Sequence, residues 1–212
     1  MLASALLSVV AALSLSSGPP AFEGSSQPIA GKVRERIDGS SWRPGCPVSL
    51  DKLALVEVTH WGFDDEVHRG KLVVHRRFDD EILAVMKRLF KVRYSIRRIE
   101  LIDRYDADDH RSMNADNTSA FNCRYVAGTQ RWSMHAYGLA IDVNPIENPY
   151  VSGSHVSPPA GEPFADRSRG APGMIHDGDE VEEAFAKKAG WEWLGDGPQL
   201  IRDYQHFSAD GS

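Results

Sequence analysis

Two short segments constrain this chain more than anything else in it: Ser133-Met134-His135-Ala136-Tyr137-Gly138-Leu139-Ala140-Ile141-Asp142, and the closing Asp203-Tyr204-Gln205-His206-Phe207. His135 and Asp142 lie seven apart, which on an unbroken helix leaves them on one face, but Gly138 followed by Leu139-Ala140-Ile141-Asp142-Val143 reads as a turn into a strand. On that strand Leu139, Ile141 and Val143 point one way, and Ala140, Asp142 and Asn144 the other. Asp142 then faces a polar side beside a small residue, and His135 folds back over Ala140 to meet it. His206 has to arrive from a neighbouring segment, and Asp203-x-x-His206 spans one helical turn or a tight bend, enough to aim both groups at one point.

Two imidazoles and one carboxylate are the donors that Zn²⁺ takes when it keeps a position open for water, the mark of a catalytic rather than a structural site. His135, Asp142 and His206 are therefore the expected ligands of one zinc ion, and Asp203 the proton acceptor for its water. Zinc held by three protein groups lowers the pKa of bound water far below that of free water, toward about 7. The remaining histidines, His60, His68, His75, His110, His155 and His176, have no such company and are assigned to no metal. Asp103, Asp106, Asp108 and Asp109 form a solvated acidic loop, since no calcium-loop glycine or closing glutamate follows at the required spacing.

A length of 212 residues with 42% hydrophobic content suits one globular domain with its own core. A net charge of −6, without a Lys- or Arg-rich tract, argues against nucleic acid as a partner. Residues 2–15 are apolar, small and uncharged, then give way to Ser16-Ser17-Gly18-Pro19-Pro20-Ala21. That pattern reads as a signal peptide over 1–21, too short for stable membrane insertion, and predicts a secreted, extracytoplasmic protein. Only Cys46 and Cys123 are present. In an exported chain two cysteines most simply form one disulfide; two buried thiols, and a thiolate near the zinc, are the other readings.

Residues 22–48, rich in Ser, Gly and Pro, read as a linker and irregular lead-in, with the packed domain over 49–212. Residues 52–62 and 68–76 predict a hairpin around Phe63-Asp64-Asp65-Glu66. A helix is expected over 79–91, where Ile82, Val85, Met86 and Leu89 share a face, with acids in the first turn and bases in the last. Strands are expected at 98–103 and 139–143, and a second helix at 179–189 capped by Gly190. The stretch 148–175, with Pro158-Pro159 and Pro172-Gly173, reads as a long loop walling a substrate cleft. Mixed elements without a βαβ rhythm indicate an α+β fold: a small central antiparallel sheet flanked by helices, with the zinc site on the sheet.

The pattern Ser133-x-His135-x-x-Gly138-x-Ala140-x-Asp142 with Asp203-x-x-His206 resembles the signature of D-alanyl-D-alanine carboxypeptidase (VanY-type) zinc metallopeptidases, which share a fold with lysostaphin-type peptidases and the hedgehog domain. Asn117-Thr118-Ser119-Ala120-Phe121-Asn122-Cys123-Arg124 and Gly190-Trp191-x-Trp193 are similar to a subgroup that hydrolyses peptidoglycan peptides. The resemblance implies His135, Asp142 and His206 as zinc ligands, Asp203 as general base, and Arg124 as the cation that anchors substrate or steadies the oxyanion. Ser133, Trp191 and Trp193 are the remaining expected substrate contacts, the tryptophans as cleft walls that help position Asp203. The sequence departs from the pattern at Leu194, where a second glycine is expected after the tryptophan. The implied function is hydrolysis of peptidoglycan stem peptides by a monomer. The competing reading is a zinc-containing binding or signalling domain without catalysis, and Asp203 separates the two, because a binding module has no use for a carboxylate placed to deprotonate water.

Overall fold

The computed structural model of the protein describes residues 18–196 and 201–211. The expected signal peptide falls almost entirely outside the described residues. Among those described, no helix is long and apolar enough to cross a membrane.

The chain opens with β1 (Gly24–Pro28) and α1 (Gly31–Ile37), so the stretch expected as linker is instead part of the packed unit. β1 pairs antiparallel with β2 (Leu53–Trp61), which pairs with β3 (Val67–His75) in the predicted hairpin. β2 is buried on both faces, as is β3 over residues 72–74, and residue parity sorts their side chains between two cores. Val56, Val58, Leu72 and Val74 enter the larger core, whereas Leu53, Leu55 and Val73 enter a smaller one with Ile37, Leu50, Leu101, Phe121 and Cys123. Gly70 in β3 has to be glycine: a Cβ there would lie 2.4 Å from Cβ of Ile99, where the crossing chain accepts a hydrogen bond from Lys71 N–H.

Helix α2 (Asp79–Lys91) forms over the predicted residues, and Ile82, Val85, Met86 and Leu89 bury its apolar face on the larger core. Truncating one of these side chains to alanine costs about 2–5 kcal/mol in a typical core. The expected strand at 98–103 is not a ladder: Ile99 makes a single bridge to Thr118, and Ile102–Tyr105 winds into a 3-10 turn. The apolar alternation is genuine, since Ile99 and Leu101 are buried, but the backbone finds a sheet partner at one residue only.

After α3 (Asp109–Asn114) come β4 (Ala140–Asp142), β5 (Tyr150–Ser152) and β6 (His155–Ser157). The long stretch 148–175 is thus a short hairpin followed by the 3-10 segment Pro159–Phe164. Helix α4 (Glu180–Ala184) starts under the Asp179 carboxylate, which accepts from Val181 N–H and Glu182 N–H; it widens into a π turn at Phe185–Ala189 and stops at Gly190, φ 68°. The chain ends in β7 (Glu192–Trp193), β8 (Ile201–Asp203) and β9 (His206–Ser208).

Among the described residues the result is α+β, with three three-stranded antiparallel sheets in place of one central sheet: β1-β2-β3, β4-β9-β7 and β6-β5-β8. The second sheet brings Asp142 and His206 into register, and the third delivers Asp203 opposite Tyr150. Cys46 and Cys123 are joined in a disulfide.

Candidate metal centre and active site

Ser133 caps the 3-10 turn Met134–Tyr137 by accepting from His135 N–H at 3.3 Å, and Gly138 adopts φ 69° to leave the turn. A Cβ on Gly138 would meet the backbone N of His75 at 2.7 Å, so the turn that aims His135 depends on glycine. β4 then sets Asp142 opposite His206 on β9, as the antiparallel register requires.

The three side chains converge in a buried pocket. His206 Nδ1 lies 2.9 Å from Asp142 Oδ1, His135 Nε2 lies 3.1 Å from Asp142 Oδ2, and the two nitrogens are 3.2 Å apart. Their donor atoms all lie within 4.8 Å of one another. His135 Nδ1 sits 2.5 Å from the Ala120 carbonyl oxygen, which assigns the ring proton to Nδ1 and leaves the Nε2 lone pair facing the centre. Two imidazole nitrogens turned toward each other and toward one carboxylate could hold a cation between them. These residues fit a zinc ion on that ground, as one carboxylate and two nitrogen donors.

Electrostatics support the same reading. Burial alone would raise the Asp142 pKa, but the His135 and His206 imidazoles outweigh it and hold the carboxyl well below the usual carboxylate range. Burial also opposes charge on His206, yet the hydrogen bond and charge of Asp142, helped by Asp203, raise its pKa. For Asp203 burial dominates, the Asp142 charge adds to it against the attraction of His206, and the carboxyl is pushed up to about 6. Asp203 Oδ1 is buried without a hydrogen-bond partner. A half-buried acid with an unpartnered acceptor oxygen beside the three donors suits proton transfer better than it suits stability.

Arg124 lies in the field of this centre, its charge working against protonation of His206, and its guanidinium pairs with Asp109 at 2.9 Å. Its Nε is buried and unpartnered. The neighbouring acids are similarly used: Asp103 accepts from Ser41, Asp108 caps α3, and Asp106 pairs with Arg111. Trp193 Nε1–H donates to the Tyr204 carbonyl at 2.8 Å and so holds the residue next to Asp203. Trp191 corrects an expectation. It is 2% exposed, packed edge-on to Phe78 and stacked with Phe185, and belongs to the core instead of a cleft wall.

Several groups at the site carried no sequence signal of their own. The Ala120 carbonyl is a backbone atom brought in by tertiary folding. Gln205, inside the closing motif, is 3% exposed and its side-chain Nε2–H donates to Met113 Sδ at 3.5 Å. Arg167 stacks over the Tyr204 ring at 4.5 Å and donates to the carbonyls of Glu147, Phe164 and Ile175 and to Asn148 Oδ1. It ties the segment beyond Asp142 to the segment beyond Asp203.

Fold and site define an α+β protein with a buried cluster of two histidines and one aspartate that could hold a metal ion, and a second carboxyl beside it. Residues 127–209, the segment that holds all four groups, match the family model of D-alanyl-D-alanine carboxypeptidase. No curated protein and no solved structure matches the chain.

Proposed function

We propose that the protein is a zinc-dependent peptidase that hydrolyses stem peptides of bacterial peptidoglycan, as a D-alanyl-D-alanine carboxypeptidase or a related cell-wall endopeptidase. The observation that carries the reading is Asp203, a half-buried carboxyl with an unpartnered oxygen, electrostatically linked to all three metal donors. That placement favours a hydrolase over a binding domain that only needs its metal for shape.

His135, Asp142 and His206 would hold the zinc ion, which when bound would supply an acidified water and polarise the scissile carbonyl. The chain's own residues do the rest. Asp203 takes the proton from the attacking water and returns it to the leaving amine. Arg124 offers positive charge to a substrate carboxylate or to the developing oxyanion. The Ala120 carbonyl fixes the His135 ring, and the buried surroundings strengthen each of these interactions by excluding water. The disulfide between Cys46 and Cys123 supports an extracytoplasmic location, where such bonds persist. We further read the protein as a secreted monomer.

Incubation with defined muropeptides, with and without chelator, followed by mass spectrometry of the products, tests the reading. Chelator-sensitive release of single D-alanine identifies a carboxypeptidase, and cleavage within the stem identifies an endopeptidase. Intact substrate in the presence of zinc rejects both.

A further inference from the structure

Just beyond Arg124, residues 125–132 form a short arm that the peptidase reading does not use. Tyr125 and Trp132 face each other in an antiparallel bridge, Val126 N–H donates to Arg131 O at 2.9 Å, and Gly128 turns the arm at φ 74°. The base is firmly held. Cys123 is bonded to Cys46, Ser133 N–H donates to Arg124 O, and Asn122 N–H donates to the carbonyl of His135 at 3.1 Å. The base of the arm is therefore tied to the turn that carries His135.

The Tyr125 ring stacks on Trp132 with centroids 4.0 Å apart and planes at 25°. Trp132 packs partly against the smaller core, yet Tyr125 is 44% exposed, and Ile201 is the only other large hydrophobic so exposed among the described residues. Cross-strand aromatic pairs do stabilise hairpins. Stabilising the hairpin, however, does not require the outer face of the tyrosine to stay in water, at about 25 cal/mol for each Å² of apolar surface left unburied. Tyr125 also lies outside the matched segment 127–209, so no comparison gives it a role.

We propose that Tyr125, backed by Trp132, is a stacking platform for a pyranose ring carried by the peptide substrate. This rests on the peptidase reading and deepens it. An aromatic face attracts polarised C–H groups, and a pyranose presents such groups on one face with hydroxyls around its edge. The exposed side chains of Thr129, Gln130 and Arg131 on the same arm supply polar partners for that edge. An alanine methyl group is too small to cover the ring, so a terminal D-alanyl-D-alanine does not account for it. Because Trp132 and the disulfide hold the platform in place, binding orders little that is not already ordered.

The test uses one pentapeptide ending in D-alanyl-D-alanine, either free or linked to an N-acetylglucosaminyl-N-acetylmuramoyl disaccharide. The ratio of KM values, free over linked, is measured for the zinc-loaded wild type, Tyr125→Ala and Tyr125→Phe. The ratio is expected to be about three to ten in the wild type and in Tyr125→Phe, and about one in Tyr125→Ala. A ratio of one in the wild type, or a preference that survives Tyr125→Ala, overturns the proposal. If the wild type cleaves neither substrate, the peptidase reading fails separately, and saturation-transfer NMR with the disaccharide alone decides the platform. Transfer to the sugar that disappears in Tyr125→Ala supports it, and no transfer in the wild type overturns it.

Discussion

Asp142 and His206 are register partners across the antiparallel pair β4 and β9, and the His206 Nδ1 atom lies 2.9 Å from Asp142 Oδ1. Two donors from distant parts of the chain are thus aligned by backbone hydrogen bonds, so the site is as rigid as the sheet that carries it. His135 completes the set from a separate turn, which makes it the donor whose removal disturbs the sheet least. Substitution of His135 by alanine is expected to abolish stoichiometric zinc while leaving the fold intact. Metal analysis paired with circular dichroism checks this, and full zinc occupancy in the variant rejects the ligand assignment.

Glu147 predicts a pH-dependent stability. Burial, reinforced by the charge of Asp116, pushes its carboxyl up to about 8 from an ordinary 4.5. A folded pKa above the unfolded one means that the folded state binds the extra proton. The contribution is complete below about 4.5 and is lost as pH rises to about 8. Glu147→Gln should flatten this part of the profile and raise stability at pH 8. Urea titrations between pH 5 and 9 on both proteins measure it, and parallel profiles contradict it.

Breaking the disulfide removes a cross-link spanning 77 residues. By the chain-entropy relation this lowers stability by about 4 kcal/mol. Denaturation of the Cys46→Ser, Cys123→Ser double variant reads the loss directly.

Arg167→Ala is expected to weaken both stability and turnover. It strips a charged donor from the buried carbonyls of Glu147 and Ile175 and from Asn148, and removes the cation over Tyr204. A loss of about 3 kcal/mol or more follows from leaving such groups unpaired. Because Tyr204 adjoins Asp203, kcat should fall more than KM rises. An unchanged kcat at a temperature where the variant is folded contradicts the positioning role.

What was legible in the sequence depended on whether a residue's role is encoded locally. Helix α2 was readable because Ile82, Val85, Met86 and Leu89 repeat at helical spacing between acidic and basic ends. The metal donors were readable because their chemical types are rare in combination. β1 was not, since it is an edge strand whose side chains are mostly exposed and which is held by backbone pairing to β2. The alternation at 98–103 reported which side chains face inward but not whether the backbone had a partner. Trp191 and Trp193 stand two residues apart in the same local setting, yet one is core and the other holds the Tyr204 carbonyl, a distinction that only tertiary packing makes. Arg167 gathers oxygens from segments far apart in the chain, so no local pattern announced it.

If one metal held by His135, Asp142 and His206 serves hydrolysis with Asp203 as the proton carrier, metal binding and turnover separate in a single variant. Asp203→Ala, assayed for bound zinc and for muropeptide cleavage on the same sample, should carry one zinc per chain as in the wild type, with hydrolysis lower by at least about a hundredfold, as expected when a general base is removed. Cleavage at the wild-type rate by the zinc-loaded variant removes Asp203 from the proton-carrying role.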